Sequence, residues 1–259
     1  MISVLAKVLE KFTIEIIPNL PIFVRTPLYL NILKLRKVKD RLRFVATNKN
    51  PSFEERLDYA LDSRANLNNS GEKLHDFNSN VVLGEIKEGP VKIYKFIPPN
   101  SSKDKYGIYF HGGGYFAGSI TSHKNLISQI SNDSNLIIYF FEYRLSPEYN
   151  FPSAHEDAKL AVDFINTLHP DHQSIWIGES AGGGLATGLV VDKEYLEKPD
   201  NLILLSPWLD LSDGFEDKKF FKNSDITIII EGMFEVGGFY AGDYGCLLYT
   251  SPSPRDVSR

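Results

Sequence analysis

The sequence has little cysteine, no excess of positive charge and no long apolar run, and each absence excludes a class of protein. Its single cysteine, Cys246, cannot form a disulfide within the chain, so nothing indicates an oxidising compartment. The formal net charge is -5 at pH 7, which disfavours binding to nucleic acid. No run of about 18 uncharged apolar residues occurs, so no transmembrane helix is expected. We therefore expect a cytoplasmic protein without a nucleic-acid partner.

The first 80 residues are predicted to form a helical segment. Residues 1–24 are apolar, but charged side chains interrupt them and no small-residue cleavage site follows, so we do not expect a signal peptide. Apolar residues at helical spacing predict one helix over residues 2–16 and a second over Leu28–Leu42. The second carries a basic cluster, which is either a solvated helix face or an amphipathic segment that rests on a membrane surface or lines a lipid entrance. Asn66–Asn80 is rich in Asn, Ser, Gly and Asp and reads as a linker.

From about residue 81, short runs of β-forming residues alternate with helical patterns. Helices are predicted over Pro152–Leu168 and Gly182–Val191, and strands over Val91–Ile97, Tyr106–Phe110, Leu136–Phe141, Ser174–Gly178 and Leu202–Leu205. Strands that alternate with helices predict an α/β fold with a mostly parallel sheet and helices on both faces. Such sheets carry their chemistry beyond the carboxyl ends of the strands.

The first chemical motif, G-E-S-A-G over residues 178–182, stands directly between a predicted strand and a helix of small residues. A serine on so sharp a turn is exposed to substrate, and glycines such as Gly178 and Gly182 leave room for the turn. The amino terminus of the following helix favours developing negative charge. Ser180 is therefore the predicted nucleophile.

The second motif, H-G-G-G over residues 111–114, follows the strand that ends at Phe110. Consecutive glycines, here Gly112 to Gly114, let backbone N–H groups point at an anion, as an oxyanion hole requires. We expect the donors to be the N–H groups of Gly113, Gly114 and Ala181. His111 is interpreted as a structural hydrogen-bonding residue that holds the loop.

These two motifs and two others, in this order, resemble those of the hormone-sensitive-lipase-like esterases, the α/β-hydrolases often called the fold-3 type. The other two are Y-R-L-S-P-E at 143–148, followed by F-P-S-A-H-E-D, and S-P-W-L-D-L at 206–211. The resemblance covers roughly Lys92–Tyr244, and it departs from the family at Ser146, usually Ala, and at Glu179, where Asp is commoner. It implies an α/β-hydrolase fold with a cap made partly of the N-terminal helices, hydrolysis of short to medium acyl esters, and no metal or organic cofactor.

Several other residues have less direct interpretations. Tyr115, Phe116 and Trp208 are candidates for the substrate pocket or for packing beside it. Arg144, Glu148 and Asp157 are predicted to form a structural ion network under the loops of the site. Three histidines are expected at the surface: His123, His169 and His172.

A serine nucleophile needs a histidine base and an orienting carboxylate, and in this fold both follow the serine in the chain. All six histidines precede Ser180. In the resembling family the acid lies beyond position 259, and Asp210, Asp213, Asp225 and Asp243 come too early to replace it. Cys246–Asp256 fits neither strand nor helix and matches a translated sequencing adapter, so Cys246–Arg259 is excluded from the fold. We therefore expect a helical segment over 1–80, a partial core over 81–245, and a parent protein that continues through the last strands and helices.

The predicted function is hydrolysis of small-molecule carboxylic esters. Two alternatives stay open: a non-catalytic protein that holds a small apolar acid on the same fold, and an amidase, because the same triad cleaves activated amides. An intact serine and intact glycines favour the enzyme. The sequence does not determine the oligomeric state.

Overall fold

The computed structural model describes residues 52–74, 76–87, 89–211, 237–238 and 240–241. Two N-terminal helices predicted over 2–16 and Leu28–Leu42, and the segment Cys246–Arg259, lie outside the described residues. The described elements, in chain order, are α1 (Phe53–Leu74), β1 (Val82–Ile86), β2 (Lys92–Ile97), β3 (Lys105–Phe110), α2 (Ile120–Ser134), β4 (Ile137–Glu142), α3 (Ser153–Thr167), β5 (Gln173–Glu179), α4 (Ala181–Val191) and β6 (Asn201–Leu205).

The six strands form one mixed sheet in the order β1-β2-β4-β3-β5-β6. The pairs β1–β2 and β2–β4 are antiparallel, whereas β4–β3, β3–β5 and β5–β6 are parallel. The prediction of parallel strands connected by helices is therefore confirmed for the part from β3 to β6. Strands β3 and β5 are neighbours, and Phe110 pairs with Gly178, so the two predicted motifs begin at the same edge of the sheet.

Helices cover both faces of this sheet, as predicted. On one face, Ile108 and Phe110 pack with Ala161 of α3 and Leu185 of α4 in the larger core cluster. On the other face, Tyr109 and Phe140 pack with Ile127 of α2. Alternate side chains of β3 thus enter opposite clusters, which explains why this strand reads as a continuous run of β-forming residues rather than an alternating one.

The linker predicted over Asn66–Asn80 is wrong for residues 66–74, which complete α1. Tertiary contacts with α2 hold this polar segment in a helix. Ser119 Oγ donates to Asn68 Oδ1 at 2.7 Å, and Asn125 Nδ2 donates to Gly71 O at 3.4 Å. Lys124 and Glu72 add an ion pair at 3.3 Å. Such contacts override the low helix propensity of an Asn-rich stretch.

Strand β1 and helix α2 were not predicted from the sequence. No residue of β1 is buried, and the strand is defined by its antiparallel pairing with β2. Helix α2 begins with a reciprocal capping box between Ser119 and Ser122. In the described part of the chain, no helix is both long and apolar enough to cross a membrane.

Candidate active site

Ser180 lies at the turn between β5 and α4, where the backbone is held in a sparsely populated conformation. Its φ is 50° and its ψ is -117°, outside the regions that residues with a Cβ prefer. Hydrogen bonds hold this conformation on both sides of the peptide: Ser180 N–H donates to Leu205 O at 3.0 Å, and Ser180 O accepts from Trp208 N–H at 2.8 Å. The turn is thus tied to the end of β6 and to the S-P-W segment.

The glycine at 182 allows helix α4 to approach the H-G-G-G loop closely. An ideal Cβ at Gly182 would lie 2.5 Å from His111 O and closer still to Phe110 O. Both atoms belong to the backbone, so neither can move aside as a flexible side chain would. The serine turn and the glycine loop are therefore in direct contact through this position.

The glycine loop turns back on itself directly after β3. Gly113 and Gly114 both have positive φ values, 113° and 64°, which glycine adopts without strain. Gly113 O accepts from Phe116 N–H at 3.2 Å and from Ala117 N–H at 2.9 Å, which closes the turn. Among the described residues, no hydrogen bond takes up the N–H groups of Gly113, Gly114 and Ala181. Unpaired N–H groups of this kind can bind a developing oxyanion.

His111 is fully buried and holds the start of the loop. Its Nδ1 donates to Gly112 O at 2.8 Å, and its ring stacks on the ring of Tyr143 with the centroids 4.0 Å apart. The Tyr143 hydroxyl donates in turn to His111 O at 2.9 Å. Burial, together with the neighbouring His123, lowers the pKa of His111 to about 3. The ring is thus neutral at ordinary pH, which fits the structural role indicated by the sequence.

The three residues of the predicted ion network divide between two clusters. Arg144 donates to both carboxylate oxygens of Asp157, from Nε at 3.0 and 2.9 Å, and Asp157 also accepts from Arg144 N–H at 2.8 Å. Glu148 instead receives two bonds of 2.7 Å from Arg64 of α1. A structural network is present, but it is not a single one.

Arg64 is a site-supporting residue that the sequence did not indicate. Besides Glu148, it donates to Phe116 O at 2.8 Å and to Ser146 O at 3.0 Å. One guanidinium therefore joins α1 to the segments that follow the H-G-G-G and Y-R-L-S-P-E motifs. Its partners lie far away in the sequence, so no local spacing could have identified it.

The three candidates for the substrate pocket occupy different environments. Tyr115 is 1% exposed and stacks on Tyr240 with ring centroids 3.9 Å apart. Phe116 is half-buried, with the ring of Tyr59 at 5.6 Å. Trp208 is also half-buried, and its indole N–H donates to Asp210 O at 2.9 Å. Phe116 and Trp208 therefore keep exposed surface beside the loop and the serine turn, whereas Tyr115 is a core residue.

The expectation of surface histidines is wrong for His123. This side chain is 5% exposed, and its Nε2 lies 3.3 Å from Glu179 Oε2. It belongs to the buried face of α2, which was not predicted. His169 and His172 are half-buried. Among the described residues, no group of three or more His, Cys, Asp or Glu side chains could hold a metal ion.

Comparison with known proteins agrees with this geometry. A family model for the α/β-hydrolase fold matches residues 107–243. The chain belongs to the α/β-hydrolase fold family. This segment begins within β3 and contains both motifs and the strands β4, β5 and β6.

Curated relatives of this α/β-hydrolase are named as hydrolases, esterases or deacetylase-like proteins. The chain is 33% identical over 134 residues to an ethyl acetate hydrolase from Pseudomonas putida, a match that covers 48% of this chain and 42% of that protein. It is 30% identical over 173 residues to arylacetamide deacetylase-like 3 from Mus musculus, which covers 60% of this chain and 42% of that protein. The chain thus spans less than half the length of these relatives.

Solved structures give the same family resemblance. EstE7, a homologue of hormone-sensitive lipase from a metagenome library, superposes with a TM-score of 0.68 at 25% identity, covering 86% of this chain and 71% of that one. The resemblance to hormone-sensitive-lipase-like esterases, predicted from the four motifs, is confirmed.

Proposed function

We propose that the whole protein hydrolyses small-molecule carboxylic esters with short to medium acyl chains and uses Ser180 as its nucleophile. The observation that carries the proposal is the strained Ser180 turn at the sheet edge that also holds the H-G-G-G loop. A structural serine has no need of an unfavourable backbone conformation, whereas a nucleophile benefits from being held in one position toward substrate.

The proposed oxyanion hole is formed by the N–H groups of Gly113, Gly114 and Ala181. Attack of Ser180 Oγ on the ester carbonyl carbon forms the new C–O bond and places a negative charge on the carbonyl oxygen. Fixed donors stabilise that charge more than they stabilise the neutral carbonyl, which lowers the barrier. Collapse of the tetrahedral intermediate expels the alcohol, and water then releases the acid from the acyl-enzyme.

The base that activates Ser180 is not His111 or His123. His111 donates its Nδ1 proton to Gly112 O within the core, and His123 faces Glu179. In the described part of the chain, the hydroxyl of Ser180 has no hydrogen-bond partner. The histidine and carboxylate that complete the site are therefore to be sought outside that part.

The test is hydrolysis of p-nitrophenyl butyrate by the whole protein and by its Ser180→Ala variant. Loss of the nucleophile should lower kcat by more than about 10⁴-fold, as for other serine hydrolases. Ser134→Ala is the matched control, because Ser134 is exposed at the end of α2, where its hydroxyl donates to Ile130 O at 2.6 Å and accepts from Leu136 N–H at 3.3 Å, away from both motifs. This variant should keep the wild-type rate.

Two other outcomes would replace the proposal. Saturable binding of p-nitrophenol or butyrate without turnover would indicate a non-catalytic binding protein on the same fold. A higher kcat/KM for p-nitroacetanilide than for the ester would indicate an amidase. Equal activity of the wild type and Ser180→Ala would exclude Ser180 as the nucleophile.

A further inference from the structure

The Glu179 carboxylate lies where three parts of the site meet. Glu179 is the last residue of β5 and directly precedes Ser180. Its Oε2 accepts a hydrogen bond from the hydroxyl of Tyr109 at 2.8 Å and lies 3.3 Å from Nε2 of His123. Its other side faces the glycine loop, because an ideal Cβ at Gly112 would lie 3.2 Å from both Cδ and Oε1 of Glu179. One carboxylate thus binds β3 and α2 and lies directly beside the loop.

His123 is itself fixed at the start of α2, so it provides a rigid partner. Its Nδ1 lies 2.8 Å from Ser122 Oγ and 3.2 Å from Ser119 O. Ser119 and Ser122 form the capping box of the same helix. The imidazole therefore connects a helix terminus to the residue next to the proposed nucleophile.

The carboxylate is ionised at neutral pH. Burial raises the pKa of Glu179, but hydrogen bonds from His123 and Tyr109 outweigh burial and leave the pKa below its usual range. The titratable groups that face it are Tyr109 from β3, His123 from α2, and His111 and Tyr143 from the layer beneath the loop. Burial and the Glu179 charge raise the pKa of Tyr109, so the phenol stays protonated and donates.

We propose that Glu179, held by His123 and Tyr109, is a positioning residue that fixes the H-G-G-G loop relative to Ser180 and so sets the geometry of the oxyanion hole. The inference rests on the proposed function. The carboxylate acts indirectly: it fills the space beside Gly112 and so fixes how closely the loop approaches the serine turn. A displaced loop weakens the donors only when charge develops on the carbonyl oxygen, so the loss should appear in kcat more than in KM.

The experiment compares Glu179→Ala and Glu179→Gln in the whole protein, with p-nitrophenyl butyrate as substrate. Glu179→Ala should lower kcat by about 10- to 100-fold while KM changes less than about 3-fold, since a misplacement of 1 Å can cost about 10²-fold. Glu179→Gln keeps the shape but loses the charge-assisted bonds, and should lower kcat by about 10-fold. If Glu179→Ala does not fold, the kcat of Glu179→Gln tests the inference by itself.

A second readout isolates the oxyanion hole. Butylboronic acid forms a tetrahedral adduct on an active serine and so imitates the charged intermediate. Its inhibition constant should rise in the Glu179 variants by the same factor as kcat/KM falls. A merely structural role would lower the melting temperature without this proportional change.

Glu142→Gln is the matched control. Glu142 also ends a parallel strand and also binds the start of α2, by accepting from Ile120 N–H at 2.9 Å, but it has no described contact with the loop or the serine turn. This variant should lower thermal stability and leave kcat within about 2-fold of wild type. An equal loss of kcat in Glu142→Gln, or wild-type kcat in Glu179→Gln, would overturn the inference. A wild type that hydrolyses no ester would overturn the proposed function, and this inference with it, before any variant is compared.

Discussion

Replacement of Gly182 by alanine should disrupt the contact between the serine turn and the glycine loop. The added methyl group would lie 2.5 Å from His111 O and nearer to Phe110 O, and separations below 3.0 Å essentially never occur for a Cβ. Because the obstacles are backbone atoms at the end of a central strand, the start of α4 must shift away from β3. Ser180, two residues before Gly182, would move with it.

The change in the free energy of unfolding of Gly182→Ala is the sum of two opposing contributions. Overpacking costs about 1–3 kcal/mol, and severe backbone overlap favours the upper part of this range. The better helix propensity of alanine offsets up to about 1 kcal/mol. A net loss of about 2 kcal/mol corresponds to a fall in melting temperature of about 4–8 °C for a domain of this size. In the active whole protein, kcat should fall by about 10²-fold, since a displacement of about 1 Å suffices for that.

Gly188→Ala on the same helix provides the control. An ideal Cβ there would meet only the ring of His155, at 3.4 Å, which is an ordinary van der Waals contact. This variant should therefore be as stable as wild type or more stable by up to about 1 kcal/mol. Urea unfolding followed by circular dichroism measures both variants. Equal stability of Gly182→Ala and Gly188→Ala would refute the reasoning.

Two further predictions concern the supports of the loop. Arg64→Lys should lower kcat by about 10-fold, because an ammonium group cannot reach the Glu148 carboxylate and the two carbonyl oxygens that the guanidinium binds together. Lys73→Ala, at an exposed position of the same helix, should leave kcat unchanged, and steady-state kinetics measures both variants. His111 has a folded-state pKa of about 3, below its unfolded value of 6.5, so the unfolded state binds more protons between these values and stability must fall as the pH falls through this window. His111 alone contributes up to about 1.4 kcal/mol per pH unit to the dependence of the unfolding free energy on pH. Urea unfolding measured between pH 7 and 4 should show that His111→Asn removes this contribution. The same pH dependence in the variant and the wild type would contradict the assignment of a neutral buried ring.

The central strands could be predicted because they are buried on both sides. Strands β3, β4 and β5 consist of dense β-forming residues, and the predicted ranges agree with the observed ones within about two residues. The two motifs were located at strand ends for the same reason. Local sequence was sufficient wherever one short segment carries both its secondary structure and its chemistry.

Helix α2 could not be predicted from hydrophobic periodicity, because much of its buried face is polar. Its buried residues include Ser122, His123, Asn125, Ser128 and Ser131, whose hydrogen bonds lie within α2 or reach the neighbouring segments. The only local signal was the pair of serines at 119 and 122, which form the capping box. The positions of Arg64 and Glu179 in the site depend on partners far away in the chain, and such contacts leave no periodic pattern in the sequence.

The way Arg64 binds the loops has a consequence for how this fold can diversify. At positions 116 and 146 it binds carbonyl oxygens, Phe116 O and Ser146 O, which every amino acid supplies. The side chain at 116 can therefore vary in size and polarity without removing that bond. Position 116 is thus a suitable place to randomise when new substrate preferences are sought, because the Arg64 hydrogen bond holds the main chain there whichever side chain is present.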